Sequence, residues 1–234
     1  MLGAGARLVG CTRYCTEPAR ALRDVARVGG TKNPDLEAIL ALAPDLVIGN
    51  AEENRAEDLG ALAARVPTLV QTPRSVPEAA RALAALAARL GLSEAAAPFV
   101  ERVTSLLAEP TPANGPRVYY AIWRKPWMTV GAGTFVADVL GRCGAQPMGA
   151  APGCPEDREA RYPEVTPAAA VEAGVDLVLL ASEPWAFDAA QRDEVAAARL
   201  FGDADVRLVD GRDFCWHGVR MAAGLARARA ALMP

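Results

Sequence analysis

The side chains with chemical potential in this chain of 234 residues are few. There is one histidine, His217, preceded by Trp216, and five cysteines, Cys11, Cys15, Cys143, Cys154 and Cys215. Catalysis by proton transfer or nucleophilic attack needs an activated nucleophile or a paired acid and base. No Gly-x-Ser-x-Gly elbow presents one. Gly131-Ala132-Gly133-Thr134 precedes a helical stretch and could hold a phosphate at its amino end. It lacks the third glycine of a dinucleotide fingerprint, and no Walker lysine follows, so a loop-to-helix turn accounts for it better. A bare zinc or manganese ion needs three or four ligands, which one histidine does not supply. His217 could bind a ligand from the loop it shares with Trp216, although a lone histidine is more often structural. Cys11 and Cys15 are four apart and form no CxxC pair, and no second pair completes a zinc site. An odd number scattered over this length does not read as a disulfide framework, so small buried or half-buried thiols are expected.

What remains is recognition. Trp123-Arg124-Lys125-Pro126-Trp127 leaves an apolar run at 118–122 and sets two tryptophans around two cations. Two tryptophans could offer broad apolar faces to a flat ligand, and an anionic group on it needs a cation, ideally the planar fork of arginine. The competing reading packs one tryptophan in the core and leaves both cations solvated. Trp185 follows the run at 177–180 with the same logic, although Ser182-Glu183-Pro184 reads as a turn, so Trp185 could equally act as a wedge. Asn54 and Arg55 follow the run at 46–48 and could hydrogen-bond a ligand rim. Glu52 and Glu53 suit the opening of the next helix, where acids complement the macrodipole.

The elements that must position these residues are strand-length apolar runs at 46–48, 68–70, 118–122, 177–180 and 206–209, with helical spacing between them. That alternation predicts an α/β fold with mostly parallel sheets. The runs are nearly continuous, as expected when helices cover both faces. Ser75-Val76-Pro77-Glu78 is a capping box; Leu83, Leu86 and Leu90 follow at helical spacing, and Gly91 stops the helix. Ser93 restarts it, with Val100, Val103 and Leu107 in one stripe, before the proline-rich stretch at 109–116. Two Rossmann-like lobes, 1–74 and 116–234, joined by bridging helices and a linker at 75–115, are the expected division.

The halves look like copies. Asp45-Leu46-Val47-Ile48, after a stretch opened by Asn33-Pro34, echoes Asp176-Leu177-Val178-Leu179 after Thr166-Pro167, which implies two similar lobes. The second half opens with a strand and a helix ending in Leu140-Gly141-Arg142-Cys143-Gly144. The first half opens at Met1-Leu2-Gly3-Ala4-Gly5, which resembles only the end of that helix. An opening strand and helix, roughly 20 residues by comparison with the second half, are expected to be missing. An unpaired sheet edge there would promote a homodimer.

Composition narrows the classes further. Hydrophobic residues reach 52%, enough for a core, yet no apolar run approaches the ~20 residues of a membrane span. A net charge of −3 leaves no basic footprint for nucleic acid. The amino terminus shows no secretory signal, which reads as cytoplasmic for the chain as it stands and extracytoplasmic if a longer start carries one.

Six stretches in order, 8–18 (LVGCTRYCTEP), 28–34 (VGGTKNP), 44–55 (PDLVIGNAEENR), 122–130 (IWRKPWMTV), 161–165 (RYPEV) and 210–218 (DGRDFCWHG), resemble the helical-backbone substrate-binding proteins of bacterial ABC importers, in the branch that binds cobalamin. The resemblance implies a ligand held between two lobes without chemistry and without a required cofactor. A corrinoid is favoured, and haem or an iron chelate comes next. It implies that Trp123, Trp127 and Trp216 stack on the ligand, that Arg124 or Arg55 holds anionic groups, and that Tyr14-Cys15 matches an aromatic cleft position, with Tyr14 capping a lobe edge as the alternative. Importer docking uses a glutamate on each lobe. Glu53 stands where the first would be, and no glutamate near Trp216-His217 supplies the second. A cytosolic carrier or sensor of the same fold is therefore the runner-up, and an α/β enzyme the third reading.

Overall fold

The computed structural model describes residues 2–111, 114–149 and 161–233; Cys154 lies outside them. The chain divides into two units, Met1–Thr72 and Pro73–Pro234. Among the described residues no helix is long and apolar enough to cross a membrane.

The second unit is built on a four-stranded parallel sheet in the order β10-β9-β5-β8, from β5 (Arg117–Ala121), β8 (Gln146–Pro147), β9 (Leu177–Ala181) and β10 (Asp205–Val209). Every residue of β9 is buried, because side chains alternate between two covered faces. Val118, Tyr120, Leu177 and Leu179 point into one core, shared with helices α3 (Val76–Leu90), α4 (Ser93–Ala108), α5 (Phe135–Arg142) and α9 (Met221–Leu232). Tyr119, Ala121, Val178 and Leu180 point into the other, closed by α6 (Pro167–Glu172) and α7 (Ala189–Ala197). Burial pushes the Tyr119 hydroxyl well above its ordinary range, and the group donates to the Val165 carbonyl at 2.8 Å.

At the middle helices the Ser75 and Gly91 caps work as the sequence predicts, and the glutamate half of the capping box does not. The Ser75 side chain accepts from the Glu78 N–H at 3.3 Å, and Gly91 closes α3 in the left-handed region at φ 69°. The Glu78 carboxylate takes the Arg74 N–H at 2.8 Å rather than that of Ser75. The first-turn N–H of Val76 has a second anchor, Asp138 Oδ2 of α5, at 2.7 Å. Through Val76, Ala79, Ala80 and Val103, the segment expected to form a bridge belongs to the core of the second unit.

The first unit holds two separate parallel pairs: β1 (Gly10–Cys11) with β2 (Ala26–Arg27), and β3 (Val47–Gly49) with β4 (Thr68–Val70). Helix α1 (Leu36–Ala41) is capped by the Asp35 side chain, which accepts from the Ala38 N–H. Helix α2 is Ala56–Ala63. The repeat holds at the helix cap and exit, although Pro34 precedes its cap whereas Pro167 follows Thr166. Asp35 and Thr166 each cap a six-residue helix. Each helix is followed two residues later by a left-handed residue, Ala43 at φ 46° and Gly174 at φ 76°, and then by the strand. One expectation fails locally. Glu52 and Glu53 do not open a helix, because the Asn50 side chain and carbonyl hold residues 50–54 in a turn. Helix α2 begins later, with Glu57 and Asp58 as its first-turn acids.

Candidate functional site

In an open parallel sheet, ligands sit beyond the carboxyl ends of the strands, where neighbouring strands send their connections in opposite directions. In the second unit that point lies between β5 and β9. Strand β5 leads through α5 to β8 on one side, and β9 leads through α7 to β10 on the other. Trp123 follows β5 and Trp185 follows β9, and their rings meet edge to face with centroids 4.9 Å apart. Trp123 is 38% exposed and is fixed by donating its indole N–H to the Lys125 carbonyl at 3.1 Å.

Trp123 and Trp127 have opposite fates, and the backbone says why. Residues 123–128 form a hairpin of β6 (Trp123–Arg124) and β7 (Trp127–Met128), in which Trp123 pairs with Met128 and Arg124 with Trp127. Residues paired across an antiparallel ribbon share a face and successive residues alternate, so Trp127 lies opposite Trp123. It is half-buried, stacked on Phe187 at 5.9 Å and edge-on to Phe201 at 5.3 Å. Arg124 shares that face. It stands 5.9 Å from the Trp127 ring and is paired with Glu194 at 2.6 Å, which holds the Glu194 carboxyl below its usual range. Trp127 and Arg124 thus support the hairpin, and Lys125 at its tip is exposed.

A second cluster follows β10. Asp210 accepts two bonds of 2.8 Å from Arg212 and one of 3.4 Å from Arg220, while Asp213 takes Arg220 at 2.8 Å and Arg227 at 2.6 Å. The two guanidiniums at 212 and 220 lie 6.0 and 5.9 Å from the ring of half-buried Trp216. His217 is exposed and meets Phe135 edge-on at 5.9 Å. Cys215 donates to Glu183 Oε1 at 2.9 Å, and the Gly211 N–H donates to Ser182 Oγ at 3.0 Å. These bonds tie the loop carrying Trp216 to the loop carrying Trp185. The arginines of this cluster escaped the sequence reading, because 212 and 220 flank Trp216 only after the short helix α8 (Arg212–Cys215) folds.

In the first unit, Tyr14 is 61% exposed, with the Arg13 guanidinium 5.8 Å from its ring, and Cys15 is half-buried beside it. Both ends of the Asn54 amide are engaged internally, by the Asn50 N–H at 2.9 Å and the Thr31 carbonyl at 3.0 Å. Arg55 is engaged by Asp58 at 2.8 and 3.0 Å. Glu53 is exposed. Among the described residues no group of three or more His, Cys, Asp or Glu side chains is placed to hold a metal ion.

The family model described as "Periplasmic binding protein" matches residues 1–202. The chain belongs to the periplasmic binding protein family. A vitamin B12-binding protein of Vibrio cholerae serotype O1 is 27% identical over 169 residues, which is 70% of this chain and 59% of that protein. The chain thus spans under two thirds of that relative's length. Among solved structures, the periplasmic vitamin B12 binding protein of Vibrio cholerae superposes with a TM-score of 0.78 at 22% identity, covering 99% of this chain and 90% of that one. The periplasmic heme binding protein of the same organism gives 0.80 at 18% identity, covering 100% and 93%. A periplasmic heme-binding protein from Roseiflexus sp. RS-1 gives 0.78 at 20% identity, covering 99% and 91%. These likenesses establish the fold of this periplasmic binding protein family member.

Proposed function

We propose that the chain is the substrate-binding component of an ABC importer, working outside the cytoplasm, and that it holds a bulky, flat, metal-containing small molecule without transforming it. A corrinoid is the first choice, with haem or another iron chelate next. The pair of exposed Trp123 and half-buried Trp185 at the switch point of the second unit carries this reading. Two locked indoles offer a broad apolar surface, with Lys125 at its rim for a carboxylate or phosphate. Trp216, flanked by two guanidiniums, has the same character. Family membership and the vitamin B12- and heme-binding relatives support the ligand class.

Titration of tryptophan fluorescence with cobalamin, cobinamide, haem and a ferric catecholate tests it. One of the four should quench saturably, and a Trp123→Ala, Trp185→Ala double variant should bind at least tenfold more weakly, about 1.4 kcal/mol or more. Four flat titrations from folded protein overturn the ligand class. We further assign exposed Glu53 to permease docking, so Glu53→Ala should lower transport in reconstituted importer and leave ligand affinity intact. The side of β3 away from β4 is the edge proposed for a homodimer, which light scattering on a sizing column checks; a strict monomer counts against it.

A further inference from the structure

The loop after β1 in the first unit brings together two thiols and a cation that the Trp123–Trp185 site does not use. The Cys15 N–H donates to the Thr12 carbonyl at 3.1 Å, a turn that folds residue 15 back toward Cys11. Cys15 Sγ lies 3.5 Å from Thr12 Oγ1. One guanidinium nitrogen of Arg27 donates to Cys11 Sγ at 3.0 Å, to the Thr12 carbonyl at 3.0 Å and to the Cys15 carbonyl at 2.7 Å. A single atom thus clamps one thiol and the backbone of the other cysteine. Cys11 is fixed from behind as well, since its carbonyl accepts from the Val28 N–H at 3.1 Å. The thiols differ in access, with Cys11 buried and Cys15 half-exposed, and both are free. Of the other described cysteines, Cys143 is buried in the core of the second unit and the Cys215 thiol is bonded to Glu183.

We propose that Cys11 and Cys15 are a disulfide-forming pair, closed by exchange with an external protein or small-molecule disulfide and clamped for closure by Arg27. The accessible Cys15 thiolate attacks one sulfur of the external disulfide, forms a mixed disulfide and expels the first thiolate, which takes a proton. Cys11, as thiolate beside the Arg27 guanidinium, then attacks Cys15 Sγ and expels the second. Two protein thiols are oxidised to one disulfide, and the external disulfide is reduced to two thiols, so electrons and protons balance. Burial and the neighbouring Cys15 push the Cys11 thiol above its ordinary 9.0, against the pull of Arg27. The second step should therefore keep accelerating as pH rises through 9. The product ring encloses Tyr14, so closure would also fix the loop that carries it.

The test equilibrates the full chain with oxidised and reduced glutathione at several ratios, quenches with acid, alkylates the free thiols and maps peptides by mass spectrometry. A Cys11–Cys15 linked peptide from monomeric protein, lighter by two hydrogens, is expected. Cys11→Ser should accumulate glutathione on Cys15, while Cys15→Ser should leave Cys11 at least tenfold less reactive. Arg27→Ala, checked for folding by circular dichroism, should lower the equilibrium constant for ring closure at least tenfold. Both thiols still alkylatable at the most oxidising ratio, a stable glutathione adduct on Cys15 of the unaltered chain, or a bridge from either cysteine to Cys154 would each overturn the proposal.

Discussion

The pairs β3–β4 and β9–β10 open alike and live in different surroundings. Both are parallel, both follow a capped six-residue helix with a left-handed exit, and both open on an Asp-Leu-Val sequence. In the second unit β9 has a neighbour on each side, β5 and β10, and all five of its residues are buried. In the first unit β3 pairs with β4 alone, and Ile48 is 50% and Val70 43% exposed. Likewise β8 pairs with β5, while β1 pairs with the two-residue β2. The residue types of a strand state what it can bury, and its neighbours decide what it does bury.

Hydrogen exchange probes that contrast most strongly. Amides of Leu177–Ala181 should be protected at least about 100-fold more than those of Val47–Gly49, because local opening of a strand with one partner exposes little surface. Equal protection would mean that the first-unit pair is covered in solution. Core substitutions come next. Leu179→Ala should cost about 2–5 kcal/mol in denaturant unfolding, and Ile48→Ala no more than about 1 kcal/mol. Asp138→Ala removes the acceptor of the buried Val76 N–H and should cost about 1–3 kcal/mol, a loss confined to the second unit. The left-handed pair gives a smaller and opposed effect: Ala43→Gly should stabilise by up to about 1 kcal/mol and Gly174→Ala destabilise by at least that. If both changes destabilise, the correspondence between the helix exits is broken.

The weakest effect concerns acid. Hydrogen bonds from Arg212, aided by the charges of Arg212 and Arg220, hold the Asp210 carboxyl below its ordinary 3.8 against the pull of burial. A lowered folded-state value gives stability that is fully present above the unfolded-state value and is lost as pH falls through the folded one. Arg212→Ala should therefore move the acid midpoint upward, by about a few tenths of a pH unit. An unmoved midpoint would mean that Asp210 is not coupled to folding.

Fold class, three strands of the second unit (β5, β9 and β10), the internal repeat and the Ser75 and Gly91 caps were legible, because each rests on period or on a local backbone rule. The site was legible in part. Trp123 and Trp185 follow strands, and the switch-point rule marks such residues without coordinates. The separation of Trp123 from Trp127 was hidden, because it depends on a hairpin of two two-residue strands, too short to leave a periodic trace. The internal partners of Asn54 and Arg55 were hidden for another reason. A polar residue in a loop reads identically whether it points at a ligand or ties down the loop itself, and Thr31, the partner of Asn54, lies 23 positions away. The Cys11–Cys15 contact escaped because spacing alone does not show that a turn and Arg27 fold one thiol back on the other.

The hairpin at 123–128 also bears on the thermodynamics of capture. Its indoles and guanidinium are held by Glu194, Phe187, Phe201 and the Lys125 carbonyl before any ligand arrives. Immobilising a flexible side chain on association costs about 0.5–1.5 kcal/mol, and here that entropy is already spent in folding. If the proposed site is used, binding to such a surface should show a small entropic penalty and little change in loop mobility, so discrimination among the proposed flat ligands falls to the fit of their edges.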